Sequence, residues 1–218
     1  MSDNKFLAML NEEFNRRANI PKKLEFELFP GQEKVFDYFK MFIKSTSANT
    51  FLLKGYAGTG KTSLIRHFIY WLHENELKFT LLASTGRGAK ILSDITGIKA
   101  ITVHSLIYMY EGLNQELDEL TDMVHKHQLP GTQLMLNFAL RSSPDKDMVY
   151  IIDEASMISD VRDPSLSFAR YGSGNLLRDL FTYHPQGKFV FSGDSCQLPP
   201  VNRKFSPALD KNYLNLTY

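Results

Sequence analysis

The segment Gly55-Tyr56-Ala57-Gly58-Thr59-Gly60-Lys61-Thr62 constrains this chain more than any other. It has the form G-x-x-x-x-G-K-[ST], and it stands after the apolar run Phe51-Leu52-Leu53 and before a helix-like stretch from Ser63 to Leu72. A glycine-rich turn between a strand and a helix is the context a phosphate-binding loop requires. Its glycines let successive N–H groups turn inward on a phosphate, and the helix that begins near Gly60 adds its positive dipole end. Lys61 supplies a mobile charge for the β- and γ-phosphates, Thr62 offers a hydroxyl to Mg²⁺, and Ala57, Thr59 and Ser63 complete the cradle.

A second fragment supplies the acids. The apolar run from Val149 to Ile152 ends in Asp153-Glu154. Asp153, at the end of a buried strand, is placed to hold the ion together with Thr62, and Glu154 to orient or deprotonate the attacking water. The two fragments together read as an NTPase that takes ATP and Mg²⁺.

Runs rich in β-formers at 51–54, 79–83, 101–103, 148–152 and 188–192 each end near a motif. Between them lie helical patterns, and strands that alternate with helices imply a parallel sheet flanked by helices, with ligands at the carboxyl ends of the strands. A helix from about Gln32 to Lys44 is predicted from Val35, Phe36, Phe39 and Ile43, with Pro30-Gly31 as the turn before it. Phe6, Leu7, Leu10 and Phe14 predict an amphipathic helix over 3–18 that Pro21 ends. Tyr70 and Trp71, at the end of the helix after the loop, read as packing residues.

Segment 105–147 breaks the pattern. It carries an acidic run (Glu111, Glu116, Asp118, Glu119, Asp122), then Pro130-Gly131, a strand-like stretch from Leu134 to Leu140, and Ser142-Ser143-Pro144-Asp145. It reads as a small inserted subdomain, a helix plus a β element, within an ATPase core formed by 1–104 and 148–218. The aromatics Tyr108, Tyr110 and Phe138 beside it could pack, stack on a nucleic-acid base or wedge a duplex apart.

At 218 residues and 43% hydrophobic content the chain holds one sizeable core plus such an insertion. Lys and Arg number 25 against 24 Asp and Glu, a net charge of +1, so any nucleic-acid surface must be local. A single cysteine, Cys196, leaves no internal disulfide framework, and neither a signal-peptide pattern nor a membrane-length apolar run is present. These features read as a cytoplasmic protein, monomeric as an isolated domain.

Further strings narrow the class. Asp153-Glu154-Ala155-Ser156-Met157 and Gly193-Asp194-Ser195-Cys196-Gln197-Leu198-Pro199-Pro200-Val201 resemble the second and third motifs of superfamily 1 DNA helicases of the RecD-like and Dda-like branch. Leu82 to Ala89 and Thr102-Val103-His104-Ser105-Leu106 are similar to two motifs between the phosphate-binding loop and the second motif, and Gln32, in Pro30-Gly31-Gln32-Glu33, to the adenine-reading glutamine. The resemblance runs from about residue 26 to 205. It implies a RecA-like fold in which Gln197 senses the γ-phosphate, Gln32 pairs with adenine, and Thr85, Gly86, Arg87 and His104 contact single-stranded DNA. It also implies movement 5′ to 3′ along the strand.

Such motors have a second RecA-like lobe that supplies arginines to the transferring phosphoryl group. Its motifs are absent here, and 212–218 resembles the strand that leads toward it, so this chain reads as the first lobe of a helicase. The other reading is a self-contained ATP-binding switch module; a phosphotransferase would need an acceptor-site motif that the sequence lacks.

Overall fold

The computed structural model describes residues 27–113, 135–142, 147–162 and 169–218. The helix expected over 3–18, the acidic positions Glu116, Asp118, Glu119 and Asp122, Leu134, Pro130-Gly131 and Ser143-Pro144-Asp145 lie outside the described residues.

Five runs form the main sheet: β1 (Thr50–Lys54), β2 (Phe79–Ala83), β3 (Ala100–Thr102), β6 (Val149–Asp153) and β8 (Lys188–Gly193). They lie in the order β1-β8-β6-β2-β3, and each neighbouring pair is parallel. A parallel sheet is covered on both faces, and the alternation along its strands divides the side chains between two cores. Leu81, Val149, Ile151 and Val190 face α1 (Pro30–Lys44), α2 (Lys61–Glu74) and α3 (Gly86–Thr96), where Phe39 and Phe68 stack at 3.9 Å between ring centroids. Leu82, Tyr150, Ile152, Phe189 and Phe191 share the opposite core with α4 (Val103–Ile107) and α5 (Leu176–Tyr183). This is the α/β architecture of a RecA-like P-loop NTPase. Trp71 packs edge-on against Phe39.

Pro30 opens α1 as its first residue rather than preceding it in a turn, as proline's fixed φ and missing N–H allow. At the other end of α1, Lys188 donates to the carbonyls of Phe42, Ser45 and Ala48, and burial lowers its pKa.

The tail departs from the strand expected over 212–218. Lys211–Thr217 forms helix α6, because Asp210 accepts a hydrogen bond from the Tyr213 amide at 2.9 Å and Leu214 anchors the turn in the core. Of the insertion expected over 105–147, a helix plus a β element, the described residues hold a β element, and residues 114–134 lie outside them. Tyr108–Leu113 is a strand, β4, paired antiparallel with β5 (Leu136–Leu140). A parallel partner for β5 comes from β7 (Ala169–Tyr171), beyond that range, giving a three-stranded sheet in the order β4-β5-β7. Buried Asp179 of α5 ties this sheet to the lobe by accepting from Tyr108 Oη at 2.7 Å, the Ser173 amide at 2.9 Å and Ser173 Oγ at 2.6 Å.

Candidate active site

The carboxyl ends of β1, β6 and β8 bring the two fragments together. The phosphate-binding loop leaves β1 at Gly55, whose amide donates to the Gly193 carbonyl at the end of β8. Gly60, the residue before α2, has φ +82°, a conformation that favours glycine, and a Cβ there would stand 2.6 Å from Gln32 Nε2 and push that amide aside. Gln32 is held by accepting from the Phe29 amide at 3.1 Å. No acidic side chain occupies the first turn of α2 and no side chain caps it, which leaves its first amides open to an anion. Lys61 Nζ donates to the carbonyls of Gly55 at 2.6 Å and Tyr56 at 2.9 Å, folded back on its own loop.

Asp153 is half-buried, and its Oδ1 accepts from Ser192 Oγ at 2.8 Å, leaving Oδ2 for other work. Glu154 adopts φ +54°, a left-handed conformation rare for a glutamate and characteristic of strained functional positions. Its carboxylate accepts from Thr85 Oγ1 at 3.4 Å. Thr85 in turn caps α3, accepting from the Gly88 amide at 3.0 Å.

Gly88 has no Cβ for a steric reason: a methyl group there would run into Glu154 Oε2 and stand 3.1 Å from Thr85 Oγ1. Gly88→Ala is therefore expected to displace the Glu154 carboxylate and slow single-turnover ATP hydrolysis by about 10²-fold, with nucleotide affinity unchanged. A hydrolysis rate equal to wild type would remove the steric argument.

The expected residues do not all converge. Thr85, Gly86 and Arg87 stand together at the start of α3, with Gly86 and Arg87 exposed. Gln197 is exposed at the end of β8, its amide donating to the Asp194 carbonyl. His104 sits apart on α4, its ring 5.6 Å from Tyr108 and 5.2 Å from Tyr171, and burial lowers its pKa, so the imidazole is neutral near pH 7. Of the aromatics near the insertion, Tyr108 is buried, Phe138 stacks on Tyr171 at 4.6 Å and Tyr110 is exposed.

Sequence reasoning missed Asp194. Buried beneath the loop, it accepts from the Ala57 amide at 3.0 Å and the Cys196 amide at 2.9 Å, locking the phosphate-binding loop to the third motif. Its presence in the string Gly193-Asp194-x-x-Gln197 was the available signal. Ser192 and Gly88 gave none, since their partners lie far along the chain. A larger hollow of about 1210 Å³ opens at the opposite end of the sheet, between Ser45–Leu52 and Tyr218, away from every motif.

Residues 28–166 match a family described as an AAA domain. The chain belongs to that family, and its sequence is similar to those of superfamily 1 RecD/Pif1-like helicases. It is 29% identical over 176 residues to the ATP-dependent DNA helicase Pif1 of Psychrobacter sp. strain PRwf-1, covering 78% of this chain and 22% of that protein. It is 27% identical over 184 residues to the ATP-dependent RecD2 DNA helicase of Deinococcus radiodurans, covering 84% of this chain and 20% of that protein. The chain thus spans about a fifth of the length of these curated relatives. Among the described residues no helix is long and apolar enough to cross a membrane.

Proposed function

We propose that this helicase-family domain is the ATP-binding lobe of a motor that couples ATP hydrolysis to 5′ to 3′ movement along single-stranded DNA. The observation that carries this reading is the contact between Glu154 and Thr85: the acid placed for water activation touches the cap of the helix placed to meet the strand. Occupancy of one site then bears on the geometry of the other.

In this account Lys61 leaves the carbonyls of Gly55 and Tyr56 for the β- and γ-phosphates, joined by the open amides of α2. Gln32, beside the loop, pairs with adenine. Asp153 uses only Oδ1 on Ser192, which suits an ion that takes one or two protein oxygens and completes its shell with phosphates and water. Thr62 and Asp153 would hold such a Mg²⁺, which when bound neutralises charge on the phosphates. Glu154 orients the water, and Gln197 reads the γ-phosphate.

A second RecA-like lobe supplies the arginines in this proposal, so this monomeric lobe alone turns over more slowly than about one per second. The exposed free thiol of Cys196 fits a reducing cytoplasm.

The test is strand binding by fluorescence anisotropy against salt. With Arg87 as the cation that neutralises a strand phosphate, and Thr85 and His104 contacting the strand without charge, log K falls with log salt, and Arg87→Ala lowers that slope by about 0.7 while weakening all sequences alike. An unchanged slope removes Arg87 from the path; strong sequence preference contradicts a translocating motor.

A further inference from the structure

Phe29, the residue before α1, carries a phenyl ring that is 75% exposed and belongs to neither core. Its position is the N-cap of α1, where serine, threonine, aspartate or asparagine would accept a hydrogen bond from the first turn, and no side chain makes that bond here. A large apolar ring at this place serves neither packing nor capping.

The backbone around it is set for a flat ligand. Phe29 precedes Pro30, which confines it to extended conformations, here φ −69° and ψ 155°, so the ring stands on a stiff stem. Its amide donates to Gln32 Oε1 at 3.1 Å, while Gln32 Nε2 lies against Gly60 of the phosphate-binding loop. The hydrogen bond decides how the Gln32 amide faces, with its oxygen toward Phe29 and its nitrogen toward the loop. Gly31, between the two residues, is helical, and a Cβ there would meet nothing within 4 Å. No neighbour requires glycine at that position, and its bareness leaves open surface between ring and amide.

We infer that the Phe29 ring is the platform on which the purine of a bound nucleotide stacks while Gln32 reads its edge. An adenine that takes Gln32 Nε2 at N7 and donates N6–H to Oε1 lies beside Phe29, because Oε1 already faces the Phe29 amide. Aromatic faces hold bases by stacking, and a stem fixed in advance loses little freedom on binding. An apolar side chain of a protein partner would cover the ring but leave the oriented amide unused. The inference rests on the adenine-pairing reading of Gln32 above and adds the residue that holds the plane of the base.

The experiment is calorimetric titration of this chain with Mg·ATP and with Mg·tripolyphosphate, which offers phosphates without a base. Phe29→Ser is expected to weaken Mg·ATP about tenfold, as for loss of one stacking contact, and to leave Mg·tripolyphosphate unchanged. Serine supplies the missing cap, so the melting temperature of this variant should equal or exceed that of wild type, which separates lost stacking from lost structure. Phe29→Trp is expected to keep the affinity for Mg·ATP, and its fluorescence to fall with Mg·ATP but not with Mg·tripolyphosphate. A Phe29→Ser protein that binds Mg·ATP as wild type does overturns the inference, as do an equal loss for both ligands and a Phe29→Trp fluorescence that ignores Mg·ATP. If Gln32→Ala weakens Mg·ATP and Phe29→Ser does not, the platform alone falls. If wild type binds the two ligands equally, the adenine reading falls and takes this inference with it.

Discussion

Lys61→Ala is expected to lose Mg·ATP affinity by on the order of 10²-fold while the protein stays folded. Lys61 is the side-chain cation of the phosphate-binding loop, and its ammonium now satisfies only the carbonyls of Gly55 and Tyr56, both in a partly exposed turn. Moving that charge onto two phosphate oxygens exchanges neutral acceptors for charged ones. A charge-assisted bond is worth about 1.5 to 3 kcal/mol, and roughly 3 kcal/mol corresponds to the stated loss. Lys61 is only half-buried and belongs to neither core, so the melting temperature should hardly move. Calorimetric titration of both proteins checks this, and equal affinities would sink the assignment of the loop.

The largest effect on stability is expected from Arg203→Ala. Asp160 has a fully buried side chain, and three donors meet it: Arg203 Nε at 2.6 Å on Oδ1, with Arg203 Nη2 and Tyr213 Oη on Oδ2. These bonds raise the pKa of both Arg203 and Tyr213, each chiefly through its hydrogen bond to Asp160. They join the segment after the second motif to the exit of the third and to α6. Without Arg203 the buried carboxylate keeps one donor, and water reaches it only through the gap left by the part-exposed guanidinium. Breaking a buried pair from one side costs about 3 to 5 kcal/mol, and the remaining tyrosine places this case near 3. For a domain of this size that lowers the melting temperature by about 6 to 12 °C. The double variant Asp160→Leu, Arg203→Leu should recover much of the loss, because it leaves no buried charge. A melting temperature for Arg203→Ala within about 1 °C of wild type would show that the network is ornamental.

The main sheet and the phosphate-binding loop were legible because their signals are local: an apolar run, a glycine-rich turn and a helix within one stretch of sequence. The tail was misread for an instructive reason. Its strand was expected from resemblance alone, whereas in the fold only Leu214 of this segment is buried and Leu216 is 88% exposed. The cap at Asp210 decided the conformation. β7 escaped notice because three residues, Ala169-Arg170-Tyr171, carry no period, and their strand state comes from pairing with β5. Gly88 facing Glu154, and Asp194 beneath Ala57, are relations between distant segments that only the folded chain displays.

The proposed function requires one coupling, from the nucleotide site through Glu154 and Thr85 to a strand at α3. The affinity of this chain for single-stranded DNA, measured with and without a non-hydrolysable ATP analogue and Mg²⁺, tests it most directly. Coupled sites typically shift each other by 5- to 150-fold. A change of at least about fivefold, lost in Thr85→Val, is the predicted result, and identical affinities in the two states would contradict the account.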